Sequence, residues 1–360
     1  MTSASSFPRT AEVGHMRRLV FASTREGAGK TSVIVGLGQV LGKPFGYMKP
    51  FGDRLLYRKK RLWDYDSALI ANIFDLGENP EDISLGFDHS KLRFMYDEAG
   101  TREKLGELLS HIEGDREIVF IEAGRDLAYG ISVNLDAISL ARHTDSSLVI
   151  VMRGDERTIL DDVTFVKNHL NLDGVSFAGI IVNRVHDVED FRNTYAPAIA
   201  GLGVQILGVI PYEVELTHPS VGFLSEILFA KVLGGEVGLS TVARNIFVGA
   251  MSADEARRHP SFGKAKKLVI TSGDRSDMIL ASLEGDTAGL VLTNNISPPS
   301  AIIAKATQMG VPLLLVPDDT YQVAKQIDDA QYLLKRDEED KIVLLEKLVR
   351  ENVDLSAIAS

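Results

Sequence analysis

The sequence predicts an α/β fold, a parallel sheet wrapped by helices and followed by a second, smaller α/β block. Three observations carry that prediction. Apolar runs of strand length alternate with helical patterns from Leu19 to Pro211. The first run leads into a glycine-rich turn and a Lys-Thr-Ser helix start, Thr24 to Ser32. After a stretch of breakers the alternation resumes, from Leu268 to Ala330.

The first run, Leu19 to Ser23, reads as a strand. It ends in Thr24-Arg25-Glu26-Gly27-Ala28-Gly29-Lys30-Thr31-Ser32. Glycines there let backbone N–H groups turn toward phosphate oxygens, and the following helix presents its positive N-terminal end. Lys30 is expected to neutralise the β- and γ-phosphates of ATP, and Thr31 to ligand Mg2+. The full pattern has glycine where Thr24 stands, so this is a variant phosphate loop, the mark of a P-loop NTPase fold. Arg25 sits just inside it, either solvated or placed to meet ATP of its own or of a partner subunit.

Further strands are predicted over Phe45 to Lys49, Ile118 to Glu122, Leu148 to Met152, Phe177 to Asn183 and Ile206 to Ile210. Helices are predicted between them, over Asp66 to Leu76, Thr101 to Ile112, Leu135 to Arg142 and Thr158 to Leu170. Ligands of such sheets bind beyond the carboxyl ends of the strands, so the residues just after each run are the informative ones. Lys49 is placed to reach a phosphate or carboxylate, or else is solvated. Glu122 ends an apolar strand, the usual place for an acid that holds Mg2+, though also for one that starts a solvated turn. Asn183 offers one acceptor and two donors, suited to an adenine edge as well as to a turn. Asp64 and Asp66 open a helix; either serves as its N-cap, or Asp66 is a second Mg2+ ligand.

Tyr212 to Ser240 read as a passage between domains, with His218-Pro219 and Gly234-Gly235 as breakers around a short helix. Beyond it, Leu268 to Thr271, Gly289 to Thr293 and Pro312 to Val316 read as strands of a small parallel sheet. Helices are predicted over Met278 to Leu283, Ser300 to Met309 and Tyr321 to Ala330. The strand ends carry Ser272-Gly273-Asp274-Arg275, Asn294-Asn295 and Asp318-Asp319-Thr320. These either converge on one edge as a small-ligand site or act as ordinary caps and turns. The last stretch, Lys335 to Ser360, reads as one amphipathic helix packing on the body or on a second subunit.

Composition narrows the function classes. The balance of 39 basic against 50 acidic residues gives −11, which argues against nucleic acid or anionic membrane as a partner. Without cysteine there is no disulfide framework, thiolate nucleophile or sulfur-based zinc site. Eight histidines lack metal-ligand spacing, which argues against catalytic zinc. No apolar run approaches about 18 residues, and residues 1–16 are polar. The expectation is a cytoplasmic protein with a loose tail over 1–16.

These residues also carry a resemblance. The variant loop Thr24 to Ser32, Lys49-Pro50, the Asp66 helix, Glu122-Ala123-Gly124, Ile181-Val182-Asn183 and Gly208-Val209-Ile210-Pro211 occur in the order seen in dethiobiotin synthetase. That order is also similar to the cobyrinic acid diamide synthase type of ATP-dependent ligase. Ile270 to Arg275, followed by Leu292-Thr293 and Asp319-Thr320-Tyr321, resembles the DRTGG domain. The two in tandem resemble the N-terminal region of long phosphotransacetylases. Ala123 stands where the ligases usually carry glycine, and Asn294-Asn295 replace the paired glycines of the DRTGG signature.

The resemblance implies that Lys30 and the loop hold the triphosphate, that Thr31, Asp66 and Glu122 hold Mg2+, that Lys49 touches substrate or the transferred phosphoryl group, and that Asn183 reads adenine. It implies a P-loop domain over 17–212, a DRTGG domain over 213–334 and a C-terminal helix over 335–360. Second-domain ligand candidates are Ser272, Gly273, Asp274, Arg275, Asn294, Asp319 and Thr320. The favoured expectation is a nucleotide-binding regulatory protein, a homo-oligomer whose DRTGG domain senses a small metabolite or mediates assembly. An ATP-dependent C–N ligase is the alternative. A third reading makes the tandem an assembly module for a separate acetyltransferase, since acetyl transfer by this polypeptide itself is not expected.

Overall fold

The structure, a computed structural model, describes residues 16–58, 61–328, 330, 333–336 and 338–359. The tail expected over residues 1–16 therefore lies, apart from Met16, outside the described residues. The chain forms two compact units, one running to Tyr212 and resuming at Leu334, the other spanning Glu213–Leu333.

The first unit is built on strands β1 (Arg17–Ser23), β2 (Gly46–Met48), β5 (Ile118–Glu122), β6 (Ser147–Met152), β7 (Ser176–Val185) and β8 (Ile206–Pro211). A hairpin, β3 (Leu55–Arg58) and β4 (Arg61–Asp64), lies outside the sheet. The sheet order is β2-β5-β1-β6-β7-β8, every pair parallel. Because helices cover both faces, the central strands are apolar at consecutive positions: Leu19, Val20, Phe21 and Ala22 of β1 are all buried. After β1 the chain goes to one side of it, to β2 and β5, and then crosses to β6 on the other. That reversal places the crevice at the carboxyl end of β1, where open α/β sheets bind ligands.

Helix α1 (Lys30–Leu41) follows β1, and α2 (Tyr65–Phe74) follows the hairpin. Helix α3 (Glu156–His169) follows β6. Helix α4 (Glu339–Asn352) returns from the far end of the chain and packs on α1. Gly36 permits the contact: a Cβ there would stand 2.5 Å from Val349 Cγ2 and 2.8 Å from the Leu345 carbonyl. The single helix expected over Lys335 to Ser360 is two, α4 and a short helix Leu355–Ala359. Between them Val353 pairs with Gly208 of β8, and Asp354 caps the second helix through the Ser356 and Ala357 amides. Edge pairing thus replaces the helical turn that the charge pattern suggests.

The second unit holds β9 (Lys231–Gly234), β10 (Asn245–Val248), β11 (Lys267–Ser272), β12 (Thr287–Thr293) and β13 (Leu313–Leu315), in the order β10-β11-β12-β13-β9. The three-strand parallel sheet expected from sequence gains two edges. Parallel β10 extends it on one side, and β9, antiparallel to β13, closes the other. The supposed passage from Tyr212 to Ser240 therefore lies largely inside this unit. Its helix Val221–Ile227 covers one sheet face, and its strand β9 is too short and too interrupted by glycine to show a clear alternation. Alternate residues feed two cores, Val269, Leu290 and Leu292 on one face and Leu268, Ile270 and Val291 on the other. Among the described residues, no helix is long and apolar enough to cross a membrane.

Candidate functional site

The site lies in the first unit, at the carboxyl ends of β1, β5, β6 and β7. β1 stops at Ser23, and the chain turns through Gly27 and Gly29, both with positive φ, before α1 begins at Lys30. Gly29 is required twice over. Its φ of 93° is left-handed, and a Cβ on it would stand 2.3 Å from Asn183 Nδ2. Asn183 donates from Nδ2 to the Ala28 carbonyl at 2.9 Å and so braces the loop from β7.

Lys30 is 8% exposed, and its ammonium donates to Ser23 Oγ at 2.9 Å and to the Arg125 carbonyl at 3.4 Å. Among the described residues it forms no ion pair. Burial lowers its pKa from the ordinary lysine value, with the charge of Glu122 opposing. A buried ammonium held by neutral oxygens beneath a turn of backbone amides is a cation presented to an incoming anion.

Glu122 closes β5, level with Phe21 of β1. It accepts from Thr31 Oγ1 at 2.9 Å and from the Tyr47 hydroxyl at 3.0 Å. Burial, and then the charge of Asp66, push its carboxyl up to about 7, against the pull of Lys49, Lys30 and the Thr31 hydroxyl. Thr31 and Glu122, both expected to hold Mg2+, are thus adjacent, at the first turn of α1.

Asp66, the third expected ligand, lies near enough to Glu122 to raise its carboxyl, while its own oxygens meet cations. It meets Lys49 Nζ at 2.6 Å and Arg54 at 3.3 Å. Burial would raise its carboxyl, but Lys49 and Arg54 hold it below the usual aspartate value. Asp64 supplies the helix cap, accepting from the Ser67 amide at 3.0 Å and from the Asp53 and Arg54 amides. Asp64 thus takes the cap role that their spacing left open, and Asp66 is paired with Lys49 and Arg54. Asp53, Asp64 and Asp66 bring carboxylate oxygens within 4.8 Å of one another, and the Lys49 ammonium stands among them. Lys49 is 1% exposed. Burial opposes its charge, yet the carboxylates of Asp66, Asp64, Glu122 and Asp53 outweigh burial and hold its pKa well above the ordinary value. In this arrangement the carboxylates that Lys49 reaches are those of its own chain.

The near side of the loop is also tied down. Arg25 forks Asp162 of α3 at 3.0 and 2.8 Å, and Thr24 Oγ1 donates to the same carboxylate at 2.7 Å. Both residues, expected at the nucleotide, here anchor the loop to α3. Glu26 is exposed and Ser32 half-buried, the latter in the first turn of α1.

Asn183 and Arg184 owe their position to an irregularity. Val182 pairs with Val209 and Val185 with Pro211, so β7 carries one more residue than β8 across that step. Such a bulge lifts the extra residues out of the ladder and re-aims their side chains. Arg184 has a φ of 63°, left-handed for a residue with a Cβ. Next to it, the His186 and Tyr212 rings lie 4.4 Å apart.

Tyr47, Asp53 and Asp162 are site residues that strand-end position does not single out, and Ser23, at the end of β1, is one that it does. Tyr47 has a signal nonetheless, since it stands two residues before Lys49 on the same strand line.

In the second unit, Thr293 and Thr320 hydroxyls meet at 3.2 Å, and Asn294 and Asn295 are left-handed. Gly273 lies against the Ile296 carbonyl, and Ser272 accepts the Arg275 amide at 3.1 Å. Asp319 accepts from the Gln322 amide in the helix Thr320–Asp328, while Asp274 is exposed. Arg275 pairs with Asp277 and donates to the Met251 carbonyl at 2.8 Å. The ends of β11, β12 and β13 lie together, as expected of neighbouring parallel strands, but most of these polar groups already meet local partners.

A parallel sheet whose central strand feeds a glycine-turned loop and a Lys-Thr helix start defines the P-loop class of α/β proteins. The chain belongs to the family described as the AAA domain, whose model matches residues 17–220, and the DRTGG domain model matches residues 224–330. The tandem expected from the sequence is therefore the one found. The chain is 24% identical to phosphate acetyltransferase of Nitratidesulfovibrio vulgaris over 369 residues, covering 95% of this chain and 51% of that protein. Against phosphate acetyltransferase of Pseudomonas putida it is 26% identical over 372 residues, covering 94% and 51%. It thus spans about half the length of the curated relatives it matches. Among solved structures, cobyrinic acid a,c-diamide synthase from Mycobacterium smegmatis with bound ADP and magnesium matches at a TM-score of 0.35. That match is 14% identical and covers 55% of this chain and 87% of that one.

Proposed function

We propose that this chain is a Mg2+–nucleotide-responsive regulatory module of the phosphate acetyltransferase kind, in which the P-loop unit binds ATP and the DRTGG unit senses a metabolite or directs assembly. One observation carries the nucleotide half: the buried Lys30 ammonium, held only by neutral oxygens among the described residues, lies under a loop whose glycines turn its amides. Triphosphate supplies the missing negative charge. Thr31 and Glu122 are the residues that would hold Mg2+, which bridges phosphate oxygens and neutralises their charge when bound. Asn183, with the His186–Tyr212 ring pair beside it, marks the end of the crevice suited to a base.

The ligase reading has less support. Its substrate lysine would be Lys49, and that ammonium is engaged by three aspartates. A binding protein with slow turnover fits an enclosed lysine better than an acyl-phosphate ligase does. A homo-oligomer and a separate acetyltransferase as partner, the latter suggested by the relatives' name, complete this reading.

Calorimetry with MgATP tests this. The wild type should bind, and Lys30→Ala should lose at least about tenfold in affinity, the scale of one charge-assisted phosphate contact. ADP release should stay slow across small carboxylate and amine acceptors. Unchanged affinity in Lys30→Ala removes the nucleotide assignment, and rapid ADP release tied to one acceptor favours the ligase.

A further inference from the structure

Four arginines stand near the phosphate loop, and they differ in what balances them. Arg25 is forked by Asp162, and Arg54 meets Asp66 through one nitrogen. Arg153 and Arg184 have no ion pair and no hydrogen bond among the described residues. The chain has a surplus of acids, 50 against 39 bases, yet none among the described residues pairs with either arginine.

Arg153 follows β6 directly, as Glu122 closes β5. Its Nη2 lies 3.7 Å from where a Cβ on Gly27 would stand, so the guanidinium rests on the turn of the loop itself. Arg184 stands in the bulge in β7 with a left-handed backbone, directly after Asn183, whose amide braces the loop at the Ala28 carbonyl. Burial lowers its pKa from the ordinary arginine value, and the charges of Arg153 and Arg54 lower it further, with Tyr212 opposing. Two unpaired guanidiniums close enough to repel one another, one of them held by strained backbone, form an arrangement that an anion relieves. Arg153 lies against the loop at Gly27, and Arg184 follows the asparagine that braces the same loop.

We propose that Arg153 and Arg184 form a second anion subsite beside the phosphate loop, one that takes phosphate charge beyond what Lys30 neutralises, so that affinity rises steeply with the number of phosphates. The site then distinguishes triphosphate from diphosphate and monophosphate, which gives a regulatory module its signal. This rests on the nucleotide reading above.

The test is calorimetry on the full chain with AMP, ADP, ATP and inorganic tripolyphosphate, at low and at physiological salt. Variants are Arg153→Ala, Arg153→Lys, Arg184→Asn, which tolerates the left-handed backbone, and Lys30→Ala. Arg153→Ala and Arg184→Asn should each lose about tenfold or more for ATP and tripolyphosphate and much less for AMP, with a shallower salt dependence. Arg153→Lys should retain part of the affinity, since it keeps the charge and loses the fork. Melting curves without ligand should be unchanged in Arg153→Ala, whose side chain is exposed. If the wild type binds ATP through Lys30 while both arginine variants bind it equally well, the subsite is wrong and the nucleotide reading stands. If Lys30→Ala binds as the wild type does, or the wild type binds no nucleotide, both fall together.

Discussion

Thr31 Oγ1 lies 2.9 Å from Glu122 Oε1, which joins the first turn of α1 to the last residue of β5 across 91 positions of sequence. Tyr47 holds the other carboxylate oxygen, so both oxygens of Glu122 are engaged in the free protein. A metal entering here must replace hydroxyl hydrogen bonds, and a proton competes with it for the same carboxylate.

That competition has a sign. Glu122 is raised from 4.5 to about 7, so folding favours its protonated form, and its contribution to stability falls as pH rises through that window. Mg2+-dependent nucleotide affinity should move the opposite way, weakening below about pH 7 as the proton returns. Glu122→Gln should flatten the pH profile of binding and melt above the wild type near pH 8. Calorimetry and thermal melting from about pH 6 to 8.5 check both; a Glu122→Gln protein with wild-type metal dependence would show that Glu122 does not meet the ion.

Lys49 stands among three aspartates, and its removal leaves buried charge unpaired. Lys49→Met should lower stability by about 3–5 kcal/mol at neutral pH, read as a shift of the urea midpoint. Part of the loss should return near pH 5, because protonated aspartates need no counter-charge. Wild-type stability at neutral pH would mean that this cluster is open to solvent.

The contact of α1 with α4 depends on the missing side chain at Gly36. Gly36→Ala should lower the melting temperature, since its Cβ meets Val349 Cγ2 at 2.5 Å. Adding Val349→Ala removes that methyl and should recover part of the loss, though the Leu345 carbonyl at 2.8 Å keeps it from being complete. Additive effects of the two changes would separate the two residues in space.

Asn183 and Gly29 act on the same loop from opposite sides. Asn183→Ala should weaken nucleotide binding by freeing the Ala28 carbonyl, with little effect on melting. Gly29→Ala should do more, because it strains the backbone at a φ of 93° and displaces the Asn183 amide as well. Equal effects of the two changes would mean that the brace, not the turn, sets the loop.

The parallel sheet was legible because its strands are buried on both faces, and Ile118–Glu122 matches its predicted bounds to the residue. The strand-end rule reaches Glu122, Lys49 and Asn183 for the same reason. It reaches Arg153 too, which follows β6 directly. What it does not supply is direction. Whether Lys49 points to a ligand or to Asp53, Asp64 and Asp66 depends on the hairpin β3–β4, whose short strands carry little periodic signal. The bulge that aims Arg184 is a pairing defect between β7 and β8, visible only once both strands are in register. Strand β9 and the break at Val353 escape for a similar reason, since each is stabilised by a distant partner strand and not by its own sequence.

Helix α4 also sets an order of events during synthesis. The first unit lacks the cover for the Gly36 face of α1 until residues beyond Leu334 have left the ribosome, by which time the whole of Glu213–Leu333 has already emerged. The first unit is therefore completed only after the second has emerged, although its phosphate loop is translated well before either event. A fragment stopped after Tyr212 would keep every phosphate-loop residue and still carry a bare apolar helix face, a liability for expression that no inspection of the loop would reveal.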